Sequence, residues 1–278
     1  MKIKSWLLII LLMISIEDVF PWGRNGHFFI NLKAIQFLPG EMQEFKKWAD
    51  YISEHASEPD DRRDEDSLEF PKHFIDIDYY KEFLNGSMIF NRAELAKIYN
   101  DSIVTAMGIL PWATIQTFNN LTNAFMEKNR DRILIFATDL GHYVADGHQP
   151  MHTIINYDGQ FTDQKGIHYR YESEMIKRNI NEIENVIDSV NAIHIGDPEK
   201  FIFNYITSAN SVAPVLFAAD EFAFKASGSR GNDDYYRLLW FRTKYITEIQ
   251  FKKAVESLAS LIYTAWVNAG RPSLSELN

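Results

Sequence analysis

Two His/carboxylate pairs in this chain stand one helical turn apart, His142 with Asp146 and His168 with Glu172. At 3.6 residues per turn, side chains four apart share a helix face and can approach the same ion. The plain alternative for either pair is a surface ion pair. The chain has eight histidines and no cysteine, so disulfides and thiolate catalysis are excluded, and any zinc must be held by imidazole nitrogen and carboxylate oxygen. His152 lies between the pairs, just beyond the helix-breaking Pro150, and His73 sits in the tight run Pro71-Lys72-His73-Phe74-Ile75-Asp76.

The segments that must position these residues read as helices with polar punctuation. Apolar residues recur at helical spacing from His27 to Leu38, and Pro39-Gly40 ends the run. Further helical patterns cover Glu41 to Glu54, Ala93 to Phe125 with a break at Pro111, Asp131 to Asp146, Ile167 to Val190, Pro198 to Phe217 and Tyr235 to Ala269. Alternating β patterns are few, so the expectation is an all-α protein. The acidic stretch from Glu58 to Asp66 has no periodicity and reads as a loop, either solvated or dipping into a site. Ser227 to Asn232 reads as a connection between helices, which leaves one domain, 22–278.

The 278 residues carry 28 Lys and Arg against 38 Asp and Glu, a net charge of -10. A nucleic acid could not be held by a broad basic surface, and an anionic substrate would need positive charge concentrated locally. Lys2 and Lys4 precede an apolar run, Trp6 to Ile16, of signal-peptide length and too short to span a bilayer. Residues 1–21 are therefore read as an export signal, placing the protein in the periplasm, on the cell surface or outside the cell. The competing reading is a buried first helix. Pro21 fits poorly beside a signal-peptidase cut; one hypothesis is cleavage before Phe20 followed by removal of Phe20-Pro21 by a dipeptidyl peptidase. An active exported protein whose intact mass retains either residue would reject processing to Trp22.

Four blocks carry a family likeness: Trp22-Gly23-Arg24-Asn25-Gly26-His27, the Pro59-Asp60 loop followed by His73-Phe74-Ile75-Asp76, His142 through His152, and Gly166-Ile167-His168-Tyr169-Arg170-Tyr171-Glu172. In order and spacing they resemble the zinc-dependent phospholipase C and S1/P1 nuclease superfamily, from Trp22 to about Glu172, and Thr264-Ala265-Trp266 is also similar. The resemblance implies a single-domain helical bundle around three zinc ions and an exported enzyme that hydrolyses phosphodiesters. Carried over, it assigns His73, His142, Asp146 and Asp60 to one zinc, and His152, His168 and Glu172 to a second. Trp22 and His27 would hold the third, with Asp146 as a bridge and Trp22 contributing its free α-amine and carbonyl oxygen. Asp61 and Asp50 are the competing loop acids. The resemblance further implies a water activated between the first two zincs, Asp60 to orient or deprotonate it, and the third zinc at the leaving oxygen.

Substrate markers conflict. The His168/Glu172 motif is like that of the phospholipase branch, whereas the five-residue step from Trp22 to His27 is like that of the nucleases. Phospholipid head-group phosphodiesters are the leading expectation, with contact at a membrane surface and no stable protein partner; single-stranded DNA or RNA is the alternative. A zinc-binding or lipid-surface protein without turnover is a third reading. The polar loop joining the two metal motifs, with Asn156 and Gln164, is the expected substrate rim, and Trp112 is a second candidate against a core-packing reading. His55 and His194 are read as surface residues. His148 lies roughly 120° round the helix from His142 and is expected to support the site or face solvent.

Overall fold

The computed structural model describes residues 22–63 and 65–277. Among these, 73% are helical and none is in a strand, as the apolar spacing predicts. The proposed signal segment 1–21, with its apolar run and cleavage site, lies outside the described residues.

The helices are α1 (Gly23–Gln36), α2 (Ala49–Glu54), α3 (Glu58–Arg62), α4 (Lys81–Leu84), α5 (Arg92–Tyr99), α6 (Asp101–Ala106), α7 (Leu110–Met126), α8 (Arg130–His148), α9 (Ile167–Tyr169), α10 (Ile176–Val186), α11 (Pro198–Ser227) and α12 (Asp233–Asn268). α8 is the central element, packed against α1, α7, α11 and α12. It is buried almost all round over its last two turns, from Leu140 to His148. One contiguous apolar cluster runs through the described chain from Trp22 to Leu277.

Local chemistry accounts for the helix ends. Asn129 caps α8 by accepting from the Arg132 amide, Asp197 caps α11 at Lys200, and Asn232 caps α12 at Tyr235. Pro198 occupies the first turn of α11, and Gly228 ends that helix at φ 73. Gln149 is extended (ψ 115) because Pro150 follows it, which stops α8 just beyond Asp146.

Three boundaries differ from the sequence reading. The acidic stretch begins as a helix, α3, because Pro59 suits the first turn and Glu58, Asp60 and Asp61 meet its positive dipole end. The long 93–125 pattern breaks at Asn100 (φ 70) and Gly108 (φ 85), while Pro111 lies in the first turn of α7. The 41–54 run divides into a 3-10 stretch, Gly40–Trp48, and α2. One close approach sets the position of the site helices. A Cβ on Gly141 would lie 1.8 Å from Asn31 Oδ1, so only glycine lets α8 pass so near α1.

Candidate metal centre

His142 and Asp146 project from the buried end of α8, as their spacing predicts, and meet residues distant in sequence. His73 Nδ1 lies 3.1 Å from Asp146 Oδ2 and 2.9 Å from His142 Nε2, which is itself 3.3 Å from Asp146 Oδ2. Asp60 Oδ1 stands 3.5 Å from His73 Nδ1 and 3.7 Å from His142 Nε2. Asp60 thus stands within 4 Å of two of the three donors of the His73/His142/Asp146 group. Asp146 turns its other oxygen, Oδ1, to His27 Nε2 at 3.4 Å, and the His27 ring stacks on His142 with centroids 4.1 Å apart.

The second pair forms a separate triangle. His168 Nε2 is 3.0 Å from His152 Nε2 and 2.9 Å from Glu172 Oε2, and His152 Nε2 is 3.4 Å from that same oxygen. A π-helical turn, Arg170–Met175, contains Glu172 and breaks the regular register between α9 and α10, a distortion frequent at functional sites. Three groups of donors, His27/Asp60/His142, His73/His142/Asp146 and His152/His168/Glu172, could each hold a metal ion.

The fit to metal is visible in what these buried atoms lack. Both nitrogens of His27, both oxygens of Asp60, His73 Nε2, Asp146 Oδ1 and Glu172 Oε1 have no hydrogen-bond partner among the described residues. Buried polar atoms normally find partners, and clustering of so many unmet donors and acceptors at one place suits cation ligation. Two histidines are already oriented for it: the other ring nitrogen of His142 is spent on Ala56 O at 2.8 Å, and that of His152 on His73 O at 2.6 Å.

Electrostatics follow from burial and crowding. Burial pushes the Asp60 carboxyl up to about 6, against the pull of His73 and His27. Burial also works to raise Asp146 and Glu172, but nearby imidazoles outweigh it; Asp146 falls well below the usual carboxylate range, and Glu172 to about 2. His152 rises to about 9 despite burial, because Asp146 and Glu172 face it. Metal bound at its Nε2 at neutral pH must displace a proton.

Trp22 is fully buried, its indole wedged against Phe251 and Tyr171 and donating to Ala145 O at 2.8 Å, the residue before Asp146. Its carbonyl accepts from Gly26 N at 3.1 Å, where a Cβ on Gly26 would come 2.7 Å from the Trp22 Cβ. This anchors Trp22 one turn of α1 from His27.

A cavity of about 610 Å³ opens over the centre. His73, His152, His168 and Glu172 line it, with Phe70, Phe74, Met151 and Tyr157 as apolar walls and Arg63, Asp76 and Asp158 as charged ones. The expected rim needs correction. Asn156 spends its amide inside its own loop, accepting from Phe161 N and donating to Thr162 Oγ1, and it does not line the cavity. Gln164 is buried and donates to Phe217 O and Asp220 Oδ2, both at 2.8 Å. It secures the loop to α11, and Tyr157 and Asp158 are the residues from this loop that reach the cavity. Trp112 packs on Phe203 and donates to Phe90 O, away from the cavity lining. His55 and His194 lie at the surface, bonded to Tyr51 O and Asn268 Oδ1.

Several contributors escaped the sequence reading. Glu69 is buried 3.7 Å from His73 Nε2, one turn back, and is held by Lys72, Arg62 and the Tyr143 hydroxyl; the i, i+4 spacing that singled out the other pairs would have found it. Arg63 lies 3.3 Å from Asp60 Oδ1 and faces the cavity. Burial, with Asp78 alongside, pushes the Asp76 carboxyl up to about 7.

Gln149 joins the second donor group to the end of α8. Its amide donates to Glu172 Oε2 at 2.6 Å and accepts from Met151 N at 2.7 Å, while its backbone bonds Asp146 O and His152 N. Outer partners of this kind set ligand orientation, and their loss costs about 10–100-fold in metal affinity. Gln149→Leu is expected to weaken metal binding at the His152/His168/Glu172 group by about that factor, measured by chelator competition; unchanged affinity would remove Gln149 from the centre.

His148 points away from the donor cluster. Its Nδ1 bonds Val144 O, its Nε2 meets Ser257 Oγ at 3.2 Å, and it stacks on Tyr205. Burial, aided by Lys253, lowers it to about 4. An unfolded histidine takes up a proton near pH 6.5, which the folded one refuses until about pH 4. Stability is therefore lost as pH falls through this window, by up to about 3 kcal/mol. Denaturant midpoints at pH 7 and 4.5 should diverge more for the wild type than for His148→Gln.

No family model matches this chain, and no curated protein matches it either.

Proposed function

We propose that the chain is an exported zinc-dependent phosphodiester hydrolase, phospholipase C-like, that acts on phospholipid head groups and binds three zinc ions. The observation that carries this reading is the spacing of the donor atoms. Four ligands at zinc bond lengths of ~2.0–2.1 Å in a tetrahedron lie ~3.3 Å from one another. The five measured separations among Asp60, His73, His142 and Asp146 run from 2.9 to 3.7 Å, and the three among His152, His168 and Glu172 from 2.9 to 3.4 Å. Among the described residues the His152 triangle has three protein donors, and it borders the cavity, which suits the open arrangement of a catalytic zinc. Asp146 would bridge to His27, with the Trp22 α-amine and carbonyl completing that group.

Zinc held by these residues would supply Lewis-acid charge and lower the pKa of a water toward about 7. The protein's own residues orient and discriminate. Asp60, whose carboxyl burial pushes up to about 6, would help to hold the metal and would orient or deprotonate an attacking water. Arg63 adds a fixed cation for phosphoryl oxygens, and Phe70, Phe74 and Met151 exclude water from the apolar side of the cavity. Asp76 can exchange a proton near neutral pH.

The test uses protein beginning at Trp22: bound zinc is counted, and a choline phospholipid, a single-stranded polynucleotide and bis-p-nitrophenyl phosphate are assayed with and without chelator. Chelator-sensitive hydrolysis of the phospholipid is expected. Preference for the polynucleotide would transfer the reading to the nuclease branch, and bound zinc with no hydrolysis would leave a binding protein.

A further inference from the structure

We propose that the mouth of the metal cavity is an adsorption surface for a zwitterionic lipid bilayer, entered by the side chains of Leu68 and Phe161. Large apolar side chains are exposed in the same two loops that wall the cavity. Phe70 (55% exposed) and Tyr157 (49%) line it; Leu68 (69%) stands two residues before the first and Phe161 (68%) four residues after the second. On a third segment Ala106 lines the cavity, and Ile103, one turn back on α6, is also exposed.

The backbone beneath them is tied down. Leu68 N bonds Asp66 Oδ1, Phe161 N bonds Asn156 Oδ1, and the stretch after Phe70 is joined to the start of α7 by Ile109 N to Pro71 O and Leu110 N to Phe74 O. Apolar groups held out to solvent around one opening mark an interaction site rather than scattered surface residues.

Charge selects the occupant. Glu65, Asp66, Asp158 and Asp163 belong to these loops, against Arg63, Lys72 and Lys165, in a chain of net charge -10. A polynucleotide or an anionic leaflet would be repelled by such a rim, whereas a zwitterionic surface admits apolar insertion without that cost. The lipid as substrate rests on the hydrolase reading above; adsorption does not.

The test measures partition of the zinc-loaded protein onto phosphatidylcholine vesicles by tryptophan-to-dansyl energy transfer within seconds of mixing. Wild type should bind, and replacing a fifth of the lipid with phosphatidylserine should weaken binding. Leu68→Ser and Phe161→Ser should each weaken partition about tenfold, while hydrolysis of soluble bis-p-nitrophenyl phosphate stays at the wild-type rate. Wild type that ignores the vesicles, or variants that partition equally well, would overturn the proposal. So would substitutions that weaken binding of a single-stranded oligonucleotide and leave vesicle binding intact, which would make the rim a base-stacking platform. Failure of the hydrolase reading would show separately, as wild type that binds vesicles without cleaving the soluble diester.

Discussion

Asp146→Ala is expected to abolish hydrolysis of bis-p-nitrophenyl phosphate and to lower bound metal by more than one equivalent. The reason is that this carboxylate serves two donor groups at once. Oδ2 stands 3.1 Å from His73 Nδ1 and 3.3 Å from His142 Nε2, and Oδ1 is 3.4 Å from His27 Nε2. Removing it takes a ligand atom from both groups and leaves neighbouring buried imidazoles without their counter-charge. Loss of an outer partner alone costs about 10–100-fold, so loss of a shared ligand should exceed about 1000-fold in rate. His142→Ala should behave similarly. His55→Ala should match wild type, because His55 is at the surface and bonds only its local turn. Steady-state rates and metal analysis of the four proteins decide the matter; an Asp146→Ala protein with full metal content and appreciable rate would reject the bridging role.

Stripping metal should also destabilise the fold strongly. Buried atoms of His27, Asp60, His73, Asp146 and Glu172 have no hydrogen-bond partner among the described residues, and the helices presenting them are held in the interior around α8. A ligand that binds only the folded state stabilises it by about 4.1 kcal/mol per site at 1000 times its Kd. For a chain of this size each kcal/mol moves the midpoint by about 2–4 °C, giving about 8–16 °C per occupied site. Scanning calorimetry of zinc-loaded and chelator-treated protein should show this drop, and re-added zinc should reverse it. Equal midpoints would mean that metal is either not bound or not coupled to folding.

The two predictions separate different aspects of the centre. A protein that loses stability on chelation but shows no hydrolysis would have a structural metal nest, whereas Asp146→Ala tests whether that nest carries turnover. Gln149→Leu lies between them, since it leaves every donor atom in place and removes only the amide that holds Glu172 and the Met151 backbone before His152.

The sequence by itself determined the helical class and the donor types, because both are local. A 3.6-residue period places His142 beside Asp146, and His168 near Glu172, whatever the rest of the chain does. Capping asparagines and prolines likewise act within a turn, although α3 was hidden because a charge run resembles a solvated loop until its dipole end is seen. Only the tertiary structure decided which donors meet. His73 reaches Asp146 across 73 residues because the 3-10 stretch Phe70–His73 packs against α8, and His27 reaches it because α1 crosses α8 where Gly141 leaves room for Asn31. Gln164 and Gln149 have the same side chain, and each could have faced solvent, substrate or protein. Packing committed one to Asp220 and the other to Glu172, since what an amide does depends on the group opposite it, and that group lies in another part of the chain.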